Sequence, residues 1–349
     1  MTTRTLVTGG TGLIGGEVIV ALAAAGRAVD ALVRAPSDHE GRRRLLERLE
    51  KSAAWRPAFA SLVRAVIGDT TLELFGVNSA ALADTGAIIH CAANTNFAGR
   101  EDDSVRAVNV GGARNLVALA RAAAPRARVV FVSTASVVTA PEGACIDENA
   151  PFAGYANTYT RSKREAEAIV TGTGLDVVIL RPSIVLSRGV SDRTMARSIL
   201  WAVPIMGELG DVPIDPETRI DIVPVDFVAR AIARLAAKPG LAHTVYHISA
   251  GEGAHSFTEL RAHVIRDNPA LDRIRALGRD ARFSDRARER LMRPLDAYLP
   301  FMNANVRYAN DRLGAELGID GSPVSSLSYV PELVGLISRR EAFDEMQRP

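Results

Sequence analysis

The chain has 349 residues, 47% hydrophobic and 5% aromatic, with 42 Lys and Arg against 40 Asp and Glu for a formal charge of +2. That is enough chain for one large domain or a domain with an appendage, and the near-neutral balance excludes a global field drawing it to nucleic acid or anionic lipid. Cys91 and Cys145, the two cysteines, form no metal-ligand spacing and no disulfide framework, no apolar run is long enough to span a bilayer, and Met1-Thr-Thr-Arg4 runs straight into a strand-like segment, so a cytoplasmic protein is expected.

Residues 6–7 with their flanks read as a short buried strand, and residues 13–25 as a helix ended by Gly26. A strand over 29–33 and a charged helix over 40–51 follow, then strands over 62–67 and 87–91 and a helix over about 104–124. Residues 129–132 and 177–180 are β-branched and wholly apolar, the pattern of strands covered on both faces. Between them a helix begins near Tyr155. Residues 225–237 add a helix and 244–248 one more strand. Alternation of strand and helix through about residue 181 predicts an α/β fold, a Rossmann-type doubly wound parallel sheet with right-handed crossovers. Residues 1–185 with 226–250 are expected to form the dinucleotide-binding domain. Residues 186–225 and 251–349 lack this rhythm, are richer in Pro and Arg, and are expected to form a smaller substrate-binding subdomain.

The first strand ends in Thr8-Gly-Gly-Thr-Gly-Leu-Ile-Gly15. A glycine-rich turn between strand and helix lets the backbone approach a pyrophosphate, whose charge meets the helix N-terminus. Gly9 is expected to permit the tight turn, Gly12 the close approach and Gly15 helix packing, with Thr11, Leu13 and Ile14 completing the loop's cofactor contact. The spacing G-x-x-G-x-x-G is one residue longer than the common dinucleotide fingerprint. The second strand ends Ala31-Leu-Val-Arg34, without the acid that NAD-preferring proteins place there; an arginine accommodates the extra phosphate of NADP(H). Arg42, Arg43 and Arg44 could assist or form a solvated helix face. Asp69, just past the third strand, is positioned to meet the adenine.

Tyr159 and Lys163 are four residues apart, on one face of a helix. An adjacent ammonium favours the phenolate and brings the tyrosine toward the working range of a proton donor and acceptor; the same lysine can hold the nicotinamide ribose. Thr134 follows the strand over 129–132, at the carboxyl end of the sheet where ligands bind, and its hydroxyl could orient a substrate carbonyl. Ser133 and Ser136 are alternatives for that hydroxyl, Ser136 being the candidate substrate contact. His90 is read as a packing residue at a strand end.

These pieces, with His90-Cys-Ala-Ala93, Asn109-Val-Gly-Gly112, Val132-Ser-Thr134 and Arg181-Pro-Ser183, resemble an extended short-chain dehydrogenase/reductase in order from residue 3 to about 250. The resemblance implies a catalytic set of Thr134, Tyr159 and Lys163, with Asn109 supporting the lysine through a water. It also implies a nicotinamide end lined by Ala92, Ala93 and the backbone after Arg181, at Pro182, Ser183 and Ile184. Tyr155-Ala-Asn-Thr-Tyr-Thr-Arg-Ser-Lys163 and Asp221-Ile-Val-Pro-Val-Asp226 are similar to the fatty acyl-CoA reductases and the thioester reductase domains of carboxylic acid reductases. In that branch a thioester is reduced to an aldehyde and sometimes onward to an alcohol. The departure is size, with no adenylation or carrier domain in these 349 residues and a final hundred residues that match none of the quoted pieces.

The expected function is NADPH-dependent hydride transfer to an acyl thioester or aldehyde, the substrate being free or linked to coenzyme A or a carrier protein. Rivals sharing the same catalytic set are a ketoreductase, dehydrogenase or epimerase acting on a nucleotide sugar, sterol or flavonoid-like ketone. A cofactor sensor without catalysis is a third reading, although such proteins commonly lose the Tyr or Lys. Residues 271–293 carry eight arginines against four acids and could meet the phosphates of a thioester carrier or form a salt-bridged surface. Trp201 and Met206 could line an acyl pocket or a subdomain core. A helix-paired homodimer, common among relatives, is compatible with the chain.

Overall fold

The computed structural model describes residues 3–96, 103–151, 154, 156–190, 199–283, 285–318 and 323–337. Its largest sheet has seven strands, β1 (Arg4–Thr8), β2 (Val29–Val33), β3 (Val63–Ile67), β4 (Thr85–His90), β5 (Arg128–Val132), β6 (Val177–Pro182) and β7 (Val245–Ile248). They lie in the order β7-β6-β5-β4-β1-β2-β3, and every neighbouring pair is parallel. The order reverses between β1 and β4, the crevice where ligands bind outside the strand ends of an open α/β sheet.

Alternation along the strands sorts side chains to two faces. Val7, Val130, Val132, Val178 and Leu180 enter one core, with helices α1 (Leu13–Ala24), α2 (Asp38–Leu49) and α6 (Val225–Ala237) over it. Leu6, Val129, Phe131 and Ile179 enter the other, covered by α3 (Gly112–Ala123) and α4 (Thr158–Thr171). Both faces are thus buried, which is why these strands are continuous apolar runs rather than alternating ones.

Two helices depart from expectation. The single helix expected over 104–124 is interrupted: a π-helical turn, Ala107–Gly111, separates Asp103–Arg106 from α3. The helix expected to begin near Tyr155 starts at Thr158, where the Asn157 side chain caps the Thr160 amide and Thr160 answers with a reciprocal bond. That capping box satisfies donors the first turn would leave bare. Tyr155 itself lies outside the described residues.

Beyond β6 the chain leaves the sheet through Ile184–Leu186, which pairs in parallel with Ile222–Pro224. A third apolar core gathers there from α5 (Ala202–Leu209), α7 (Phe257–Asp267), α8 (Arg286–Met292) and α10 (Val330–Gly335), with α9 (Asp311–Leu317) returning to the sheet side. α7 starts at Ser256, which forms a second capping box with Glu259. Among the described residues no helix is long and apolar enough to cross a membrane.

Candidate active site

The glycine loop turns at the end of β1 and leads into α1. Gly9 has φ +69°, and a Cβ there would stand 2.8 Å from the Ala92 amide nitrogen, so only glycine permits this turn to lie against the end of β4. A Cβ on Gly15 would come within 2.3 Å of the Gly9 carbonyl oxygen, whereas one on Gly12 would meet that oxygen at 3.1 Å. Gly15 therefore packs the helix against its own loop rather than against the strand. Gly12 caps α1 without a side-chain bond, and no acid occupies the first turn. Thr11 and Gly12 are exposed, with Leu13 and Ile14 half-buried behind them. Bare helix-terminal amides at an open, uncharged mouth fit a pyrophosphate.

A buried arginine underpins this loop, and sequence reasoning passed over it. Arg48, on α2, donates from Nε to the Gly12 carbonyl (3.1 Å) and from Nη2 to that of Leu13 (3.0 Å). Its guanidinium pairs with Glu17 at 3.2 Å, and Ser52 donates to the other Glu17 oxygen at 2.6 Å. The available signal was Glu17, the only charged residue in the apolar helix Leu13–Ala24.

At the end of β2 the Arg34 side chain is 77% exposed and lies 3.9 Å from the Asp69 carboxylate. Arg44 donates to the Arg34 carbonyl, while Arg43 is tied to Glu40 and Glu47 on its own helix and Arg42 reaches the Val63 carbonyl. Of the three consecutive arginines, Arg44 stands beside Arg34 at the end of β2 and Arg43 belongs to the solvated face. Asp69 does lie at the end of β3, but its carboxylate accepts from the amide (2.9 Å) and hydroxyl (2.8 Å) of Thr71 and so caps a turn.

Thr8, at the end of β1, shares a hydrogen bond with His90 Nδ1 (3.0 Å), and its hydroxyl accepts from the Ala92 amide (3.2 Å). The His90 ring is stacked between Phe75 and Phe131. Burial, with the charge of Lys163 nearby, pushes its pKa down to about 3. His90 is a neutral packing residue that locks β1 to β4. Burial also pushes the Cys91 thiol up to about 12, which leaves it without nucleophilic character at neutral pH.

The catalytic candidates converge beside β5. Lys163 is 2% exposed; its Nζ donates to the Val132 carbonyl at 2.7 Å and stands 4.4 Å from the centroid of the Phe131 ring. Desolvation pushes it down to about 8, with Glu167 and Cys91 acting in the opposite direction. Thr134 follows two residues after Val132 and accepts the Ser136 amide on Oγ1 at 3.3 Å, which keeps its own hydroxyl proton for donation. The turn it caps, Ala135–Val137, packs against α4. Ser136 lies half-buried within that turn.

One expectation requires correction, and a second residue gains partners the sequence did not show. Tyr159 is expected to be made acidic by Lys163, yet burial pushes its phenol upward: the ammonium is held at the Val132 carbonyl, and desolvation governs the tyrosine. Asn109 is expected to support the lysine through a water. Its side chain donates to the Ser162 hydroxyl (2.8 Å) and the Asn94 carbonyl (3.0 Å) and accepts the Asn94 amide (2.8 Å). Ser162 in turn donates to the Tyr159 carbonyl at 2.7 Å. Asn109 thereby ties the π-helical turn to the first turns of α4, holding the Tyr159–Lys163 face from behind.

A buried ion pair lies one helical turn beyond Lys163. Arg181 grips Glu167 with two bonds of 2.9 and 2.7 Å, both residues being at most 3% exposed. The next residues, Pro182, Ser183 and Ile184, carry the chain across the crevice. Pro182 pairs with Ile248, the Ser183 amide donates to the Ile248 carbonyl, and the Ile184 amide to that of Asp221. Asp221 sits under this crossing, 4% exposed, and accepts the Ala250 amide at 2.8 Å; burial outweighs that bond and pushes its carboxyl up to about 6.

In the arginine-rich segment, Arg275 and Arg288 pair with Asp211, and Arg279 with Glu142 and Asp215. Those three face acids outside the segment. Met206 lines an apolar cleft within the third core, whereas Trp201 stacks edge-on against Tyr298.

Comparison with known proteins agrees with this geometry. The chain is 27% identical over 244 residues to the nonribosomal peptide synthetase asaC of Aspergillus flavus, covering 64% of this chain and 23% of that protein. It is 29% identical over 263 residues to the glycine betaine reductase ATRR of Emericella nidulans, covering 70% and 20%. It thus spans about a quarter or less of these relatives. The fold is that of the terminal R domain from the myxalamid PKS-NRPS biosynthetic pathway, with TM-score 0.78 and 24% identity over 97% of this chain and 91% of that one. Residues 7–232 match the male sterility protein family. With the glycine loop at the β1–β4 crevice and Tyr159 and Lys163 on the buried face of α4, the chain belongs to that family, an NAD-binding branch of the extended short-chain dehydrogenases/reductases.

Proposed function

We propose that the chain is an NADPH-dependent reductase of acyl thioesters, releasing an aldehyde and in some turnovers continuing to the alcohol. The observation that carries this reading is the Lys163–Val132 bond, which holds the Tyr159 helix against the strand end that presents Thr134. Gly9, Gly12, Gly15 and the amides of Leu13 and Ile14 would hold the pyrophosphate. Arg34 and Arg44 would hold the extra phosphate of NADP, and Lys163 the nicotinamide ribose. Ala92, Ala93, Pro182, Ser183 and Ile184 would line the nicotinamide end. The reduced nicotinamide supplies the hydride.

Thr134 donates a hydrogen bond to the substrate carbonyl oxygen as negative charge develops there. Tyr159, kept protonated by its burial, gives that oxygen its proton. Lys163 then favours the phenolate left behind, which is the stage at which its charge matters. With a thioester the product is a hemithioacetal that collapses to aldehyde and free thiol; with an aldehyde the reaction ends at the alcohol. Residues 186–225 and 251–349 supply the substrate side. The likeness to peptide synthetase chains supports a substrate carried on a phosphopantetheine arm, with Arg286 and Arg290 available to its phosphate.

The test is NADPH oxidation by purified protein with coenzyme A thioesters and the matching aldehydes, products identified. Thioester turnover with release of thiol is expected. Turnover of the aldehydes alone would replace this reading with that of an aldehyde reductase using the same residues.

A further inference from the structure

We propose that Arg48 sets the affinity for the nicotinamide dinucleotide by positioning the amides that meet its diphosphate, without touching the cofactor itself. The proposal rests on the reading of the glycine loop as the diphosphate site. The guanidinium is buried, 5% exposed, and donates to the Gly12 and Leu13 carbonyls. The Gly12 carbonyl also accepts the Gly16 amide at 3.1 Å, which occupies both of its lone pairs. A trans peptide is planar, with its carbonyl and the next residue's N–H on opposite sides. Holding the Gly12 and Leu13 carbonyls toward the protein therefore turns the Leu13 and Ile14 amides the other way, to the exposed mouth. These are donors that the first turn of a helix leaves unpaired.

Gly16 makes the room for this grip. A Cβ there would stand 2.7 Å from Arg48 Cζ, 2.8 Å from Nη2 and 2.9 Å from Nε. Those near-equal distances mean that the guanidinium presents its flat face to α1. Gly16 lies outside the glycine spacing that ends at Gly15, and its backbone is not in the left-handed region. Space, rather than conformational freedom, is what its missing side chain supplies.

Glu17 cancels the charge. It pairs with the guanidinium from the same turn of α1, and Ser52 fixes its second oxygen. Ser52 is itself held, in an antiparallel bridge with Val190, while the Ala53 amide donates to the Gly189 carbonyl at 2.8 Å. A buried ion pair seldom repays its desolvation as stability, and a neutralised one adds little field at the mouth. What this pair supplies to the loop is direction.

The test uses the full chain, with NADPH and NADH affinities read by fluorescence titration and stability by urea unfolding. Arg48→Met alone strands a buried charge on Glu17 and costs folding. The combined variant Arg48→Met/Glu17→Gln removes both charges and keeps the side-chain volumes. It is expected to weaken both nucleotides alike by roughly tenfold, the worth of two oriented hydrogen bonds, with the urea midpoint and the ratio of the two affinities little changed. A merely structural role would move the midpoint, or would move the ratio by displacing Arg44 one turn away on α2. Arg48→Lys, which keeps a cation beside Glu17 but has no fork for two carbonyls, is expected to lose affinity in the same way. Gly16→Ala should weaken binding in the unaltered protein and add no further loss in the combined variant, where no guanidinium is left to displace. Unchanged affinity in the combined variant, or a loss accounted for by unfolding, would overturn the proposal and leave the glycine loop as the site. Absence of binding of either nucleotide to the unaltered protein would overturn the diphosphate reading and the proposal together.

Discussion

The Nζ of Lys163 donates to the carbonyl oxygen of Val132 across 2.7 Å, so the helix that bears Tyr159 is anchored to the strand whose end leads into Thr134. An ammonium has three donors, and this bond uses one. Because burial pushes Lys163 down to about 8, its charge is present below that pH and lost above it. The kcat/KM for thioester reduction is therefore expected to decline above about pH 8, measured as a pH–rate profile. A profile flat to pH 10 would remove the lysine's charge from the mechanism.

Tyr159→Phe deletes the proton donor while keeping the buried ring. Turnover is expected to fall by roughly 10²–10⁴-fold, with NADPH affinity by fluorescence titration unchanged. Near-normal turnover would transfer the proton to another group.

Arg34 stands at the end of β2 with its side chain largely in solvent, where an acid would instead bond ribose hydroxyls. Arg34→Asp is expected to shift the ratio of kcat/KM for NADPH over NADH toward NADH by at least about tenfold, the equivalent of ~1.4 kcal/mol. An unchanged ratio would move phosphate recognition to Arg44 or elsewhere.

Gly15→Ala would set a methyl 2.3 Å from the Gly9 carbonyl oxygen. The loop must shift, at a cost of about 1–3 kcal/mol in stability, and cofactor affinity should drop with it. Urea unfolding and NADPH titration on the same preparation separate the two effects; an unperturbed variant would mean the loop is mobile enough to yield.

Asp221 has a folded-state pKa of about 6, above the ordinary aspartate value near 3.9. Between these two values the folded state holds more protons than the unfolded one, so this group's contribution to stability falls as pH rises through the window. The wild type is expected to lose about 2–3 kcal/mol relative to Asp221→Asn between pH 4 and 6.5. The check is urea denaturation of both proteins across that range; parallel curves would assign the titration to another residue.

Much of the site was legible because its signals are local. The glycine turn, the buried strands and the four-residue spacing of Tyr159 and Lys163 each depend on neighbours within a few residues, and the expectation of a doubly wound parallel sheet follows from the alternation of strand and helix. What those residues touch was not legible, because the partners come from distant segments. Arg48 reaches the Gly12 carbonyl from 36 residues away, and Asn109 reaches Ser162 from 53. Only packing of α2 under the loop, and of the π-helical turn against α4, creates those bonds. The direction of the Tyr159 shift belongs to the same class: spacing places an ammonium near the phenol, but desolvation by the folded core acts on it more strongly. The apolar cleft is likewise assembled from both sides of a long stretch, from Ile184 to Val334. The sequence by itself determined the dinucleotide fold and singled out the residues proposed to react; the tertiary structure decided the supports of those residues and the direction in which burial moves Tyr159 and Lys163, because burial and long-range contact exist only once the chain has packed.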